Sequence, residues 1–129
     1  MSVEWIRKYC MSLRGATETV QWGDDLVFKV GGKMFAVLPL EPSAPTRLSF
    51  KCGDERFYEL TERPDIIPAP YLARAKWVAL ERLEALSRFE LEELLRESHA
   101  LVYAKLPKKA QEQLTNLAHM KSRKTRAKK

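Results

Sequence analysis

Leu26-Val27-Phe28-Lys29-Val30-Gly31-Gly32-Lys33-Met34-Phe35-Ala36-Val37-Leu38 is the stretch that decides the fold of this chain. Two runs rich in β-branched and aromatic residues flank a Gly-Gly pair. A two-residue hairpin turn needs positive φ at both central positions, which glycine adopts without steric cost. The segment therefore predicts a β-hairpin. On its N-terminal side, Thr19 to Trp22 reads as a short strand stopped by Gly23. On its C-terminal side, beyond a Pro-rich loop from Glu41 to Pro45, the run Thr46 to Cys52 alternates strictly. It predicts a half-buried strand with Leu48, Phe50 and Cys52 facing inward. Lys76 to Glu81 predicts a last strand.

Helical signals bracket these strands. Val3, Ile6, Tyr9, Cys10 and Leu13 recur at helical spacing, and Arg14-Gly15 supplies a stop. Asp54 is placed to cap a short helix running to Thr61, with Phe57 and Leu60 turned to the core. Pro64, Pro68 and Pro70 argue against regular structure before Tyr71. Ser87 and Glu90 have capping-box spacing and open a long helix to about Lys105. Its apolar stripe comprises Leu91, Leu94, Leu95, Ser98, Leu101 and Val102. Pro107 suits the first turn of a final helix whose apolar positions, Leu114 and Leu117, are few. The order α-β-β-β-β-α-β-α-α predicts an α+β domain, an antiparallel sheet of four to five strands with helices packed on one face.

Charge is divided unevenly along the chain. Of the net +6 carried by 129 residues, +7 lies from Lys108 onward, where eight Lys and Arg face one acid, Glu112, so residues 1–107 carry about −1. The chain reads as a near-neutral domain, residues 1–118, followed by a basic tail, 119–129, expected to be disordered. No apolar run approaches the ~18–20 residues of a membrane span. The first residues show no signal-peptide pattern, so a cytoplasmic, monomeric protein is expected. Cys10 and Cys52 read as buried free thiols. His99 and His119 have no ligand spacing, and no metal or cofactor is expected.

At this point several blocks become recognisable in order. Gly15-Ala16-Thr17-Glu18, the hairpin from Val27 to Ala36, Leu48-Ser49-Phe50-Lys51-Cys52, Pro68-Ala69-Pro70-Tyr71, Trp77-Val78 and the run from Ser98 to Lys109 resemble the successive blocks of the MmcQ/YjbR family. The resemblance runs from about residue 3 to residue 110. It implies a bacterial α+β domain of the CyaY-like, or double-wing, type. It also implies DNA binding, by analogy with the similar fold of the DNA-contacting domain of the phage transcription factor MotA. The resemblance supplies no catalytic residues. The chain departs from the family's pattern at Arg14, where proline is common, and at His99, where tyrosine is usual.

Strand alternation suggests where binding would occur. With Phe28 and Val30 facing the helices, Val27 and Lys29 face away. Lys33, Phe35 and Val37 are expected to share that outer face, together with Arg47, Ser49 and Lys51. The face holds four bases and no acid, so it suits a nucleic-acid backbone. Lys105, Lys108 and Lys109 flank Pro107 at a helix start, where cations oppose the helix dipole and backbone N–H groups favour phosphate. The expected function is a small non-enzymatic DNA- or RNA-binding protein using these seven basic residues. The alternative is a protein-interaction or chaperone-like adaptor using Val27, Phe35 and Val37. Trp5, Trp22 and Trp77 are expected to be packing residues, and His99 a hydrogen-bonded structural residue. The chain contains no GxSxG, HExxH, phosphate loop or dinucleotide fingerprint.

Overall fold

Among the described residues, six antiparallel strands form one sheet. The computed structural model describes residues 3–116. Helix α1 is Val3–Met11, followed by β1 (Ala16–Gln21), β2 (Asp25–Val30), β3 (Lys33–Pro39), β4 (Leu48–Lys51), α2 (Gly53–Thr61), β5 (Ile66–Pro68), β6 (Trp77–Leu80) and α3 (Arg88–Ala104). The strands lie in the order β1-β2-β3-β4-β6-β5. Residues 108–116 are helical as well and are called α4. The predicted tail, 119–129, lies outside the described residues, as does Leu117. No helix among the described residues is long and apolar enough to cross a membrane.

The hairpin forms as predicted, with Gly31 at φ 58° and Gly32 at φ 80°. Strand β4 is shorter than the predicted Thr46–Cys52 run, and it is buried on both faces at Leu48, Ser49 and Phe50 rather than half-buried. Leu48, Phe50 and, just after the strand, Cys52 do turn into the main core with Ile6 and Cys10 of α1 and Leu91 and Leu95 of α3. Helix α3 opens with the expected capping box: Ser87 accepts from the Glu90 backbone N–H, and the Glu90 carboxylate accepts from that of Ser87. Arg63 adds a 2.6 Å contact to Glu90, which holds that carboxyl down at about 2. Both cysteines are buried free thiols, and desolvation pushes Cys10 up to about 12 and Cys52 to about 11.

Four further expectations need correction. The sheet has six strands, because Ile66–Pro68 pairs with β6 despite Pro68. An edge strand has only one hydrogen-bonded side, so Pro68 at its end breaks no ladder. Strand β1 begins at Ala16, and Trp22 belongs to the turn after it. Asp54 lies in the first turn of α2 and does not cap it; Cys52 occupies the cap position with no side-chain bond.

The fourth correction is the largest. Phe35, placed on the outer face by simple alternation, is fully buried in the main core. The β2–β3 register slips between Phe28 and Lys29: Phe28 pairs Ala36, whereas Lys29 pairs Met34. Phe35 is the extra residue of this bulge, and one extra residue reverses the facing of everything before it. Val27 and Val37 do point outward, but they too are buried. They form a second, smaller core with Ala69, Trp77 and Ala79, onto which Leu72 packs. The segment after β5 therefore covers part of the face expected to be open.

Beyond the bulge, β3 and β4 part. Their pairing is confined to Ala36–Phe50 and Val37–Ser49. Ser98, fully buried on α3, spans the gap: its hydroxyl donates to the Phe35 carbonyl at 2.6 Å and accepts from the Lys51 N–H at 3.1 Å. A Ser98→Ala chain, which deprives both backbone groups of their partner, should lose about 1–3 kcal/mol in denaturant unfolding.

Candidate nucleic-acid interface

The parting of β3 and β4 opens a cleft of about 320 Å³ at the end of the sheet, lined in part by Lys33, Met34, Lys51, Trp77, Lys105 and Leu106. Lys33 begins β3, Lys51 ends β4, and Lys105 caps the C-terminus of α3. Antiparallel pairing brings the start of one strand beside the end of the next, and α3 finishes over the same end. Three lysines far apart in sequence thereby converge. Among the described residues none of the three is in an ion pair. Burial, followed by the nearby Lys105 charge, holds the Lys51 amine below its ordinary value. An anion entering the cleft would relieve that repulsion and replace lost hydration.

The other predicted residues stand apart from this cluster. Lys29 is half-buried on the outer face, paired across to Thr17 and Met34. Arg47 is committed to its own loop, donating to the Pro42 carbonyl at 2.8 Å and the Ala44 carbonyl at 2.9 Å. Lys108 lines a separate depression with Tyr103, Gln111 and Glu112. Lys109 is exposed in the first turn of α4. The dipole argument also changes for Lys105. As the C-cap of α3 it lies where a cation is favoured, so only Lys108 and Lys109 oppose a helix dipole. The residues missed in the sequence are those that shape the cleft. Met34 is turned by the bulge, and the Gln111 amide donates to the Tyr103 and Leu106 carbonyls at 3.0 Å, tying α4 to the end of α3.

His99 is structural, as expected. Its Nε2 lies 2.7 Å from the Arg14 carbonyl, and its ring meets Phe35 edge-on and stacks on Tyr103. Burial, the first cause, and the Arg14 charge lower its pKa below 6.5, against an opposing contribution from the Arg14 carbonyl. The unfolded chain therefore binds the proton first on acidification. The stability contributed by neutral His99 is fully present above about pH 6.5 and is lost as pH falls toward the folded value. Denaturant unfolding between about pH 7.5 and 5 should show this decline, and His99→Gln should flatten it.

Among the described residues, no three His, Cys, Asp or Glu side chains come together in a way that could hold a metal ion. The YjbR family model matches residues 11–101, a span that includes α1's last residue, the whole sheet and most of α3. The chain belongs to the YjbR family. Among solved structures, this YjbR chain is similar to Deinococcus radiodurans protein DR2400, with its DUF419 domain, at 34% identity, a TM-score of 0.78 and 88% coverage of each chain. A Pseudomonas syringae protein shares its fold, with 20% identity and a TM-score of 0.66 over 79% of this chain and 99% of that one. No curated protein matches the YjbR chain.

Proposed function

We propose that this YjbR protein is a non-enzymatic nucleic-acid-binding module that holds the phosphate backbone in the cleft between Lys33, Lys51 and Lys105. The observation that carries this reading is the convergence, around a partly apolar cleft, of three lysines that have no carboxylate partner among the described residues. The Lys105 charge opposes that of Lys51, and a polyanion both neutralises such a cluster and releases its own counterions. The double-wing resemblance to a DNA-contacting domain supports the same reading through fold alone. Lys108, Lys109 and the basic tail add affinity without sequence preference.

The test is a salt titration of oligonucleotide binding by the full chain and by a Lys33→Gln/Lys51→Gln/Lys105→Gln chain. The triple substitution should make the slope of log affinity against log salt shallower by about 0.9 per lost contact on duplex, or about 0.7 on a single strand. An Arg47→Gln chain should retain the full slope, because that guanidinium is already engaged by its loop. An unchanged slope in the triple variant would show that the cleft lysines do not hold the backbone. The adaptor reading has one observation in its favour, the apolar groove of the outer face, and it expects affinity nearly indifferent to salt.

A further inference from the structure

The lysine cleft and a groove on the outer face of the sheet share one lining residue, Met34. The groove is apolar, has a volume of about 540 Å³ and runs past Val37 to Trp22 and Tyr71. These two aromatic side chains lie outside both cores. Trp22 is 64% exposed and Tyr71 fully exposed, and they come from different loops, one after β1 and one after β5. Both have left-handed backbones, at φ 50° and φ 66°. Bulky residues are disfavoured there, and glycine or asparagine serves such positions better. Neither ring is repaid by burial in the core. Strain of this kind, kept at two exposed aromatics beside one groove, is a feature of binding sites.

We infer that this groove receives the unpaired bases of a single-stranded nucleic acid whose phosphates lie at the lysine cleft. The inference rests on the phosphate-binding reading above and adds which form of nucleic acid is bound. A ligand filling both parts must carry negative charge at one side and flat apolar groups at the other. Single strands do so, and aromatic stacking accepts any base because every base has a π-face. A duplex hides its bases from the groove. Asp25, the one carboxylate among the groove's described lining residues, stands away from the cleft, where it disfavours phosphate and can accept from a base amino group.

The test compares three probes of equal length on the full chain at one salt concentration: a thymidine strand, an abasic deoxyribose-phosphate strand and a duplex. The abasic strand carries the charge without the bases, so it accounts for the tail and the lysines. The thymidine strand should bind about tenfold or more tightly than the abasic one and should quench Trp22 fluorescence. Trp22→Asn and Tyr71→Asn suit the left-handed backbone and preserve folding. Each should weaken thymidine-strand binding by about tenfold while leaving the abasic strand unchanged. Equal affinity of both variants and the unsubstituted chain for the thymidine strand would overturn the inference, as would a preference for duplex. With either result, weaker abasic binding by the triple lysine variant would leave the phosphate reading standing. No change in that variant would remove both. Loss of binding to a short uncharged Phe- and Leu-rich peptide in the Asn variants, with strand binding intact, would assign the groove to a protein partner instead.

Discussion

Phe35→Ala should destabilise the chain by about 3–5 kcal/mol, the usual cost of removing a large aromatic side chain from a packed core. On an open sheet face the same change would stay within about 0.5 kcal/mol. The two placements of Phe35 therefore differ by an effect that denaturant unfolding resolves easily. The ring is fully buried, tilted against Phe28 at a centroid distance of 6.3 Å and edge-on to His99 at 5.3 Å. Its loss would leave a cavity between the bulge and α3, next to the Ser98 bridge. A midpoint unchanged by Phe35→Ala would mean that the bulge is absent and that the β2–β3 register runs without a slip.

Gly31→Val should cost about 2–5 kcal/mol, combining strain of a β-branched residue at positive φ with overpacking. A Cβ at Gly31 would stand 2.6 Å from Leu106 Cδ1, whereas one at Gly32 would meet nothing within 4 Å. Gly32→Val consequently carries only the backbone strain, and the difference between the two variants isolates the contact with Leu106. That contact also reaches the candidate site, because Leu106 lines the lysine cleft. A leucine pushed away from the new methyl groups moves into the cleft. Gly31→Val should thus reduce oligonucleotide affinity, and Gly32→Val should not.

Local chemistry made much of this fold legible. Gly31-Gly32, the alternation of Leu48, Phe50 and Cys52, and the Ser87–Glu90 box each state their structure within a few residues, and each forms as expected. The unreadable part depended on partners distant in sequence. Phe35 looks like any alternating residue, because a bulge is visible only when its neighbouring strand is known. Pro68 argues against a strand until it is known to end at a sheet edge. The candidate site shares this division. Lys33, Lys51 and Lys105 could be named singly as basic residues, but their convergence follows from β3 and β4 separating under the end of α3. Arg47 reads as one of the outer-face cations, and only the structure shows its guanidinium donating to two carbonyls of its own loop. Trp22 was expected to pack because tryptophan usually does; the signal against it was Gly23, which marks the turn.

The strand order dictates a sequence of assembly. Strands β1 to β4 lie side by side in the order in which they are made, so each can join the edge left by the one before. Beyond β4 the order inverts: β5 is made before β6, yet among the described residues its only strand partner is β6. Until Trp77–Leu80 has emerged and paired with β4, Ile66–Pro68 has no place in the sheet, and β4 presents an unpaired edge. Helix α2 can form in the meantime, but Ile66–Pro68 must wait for β6, the strand that closes the sheet.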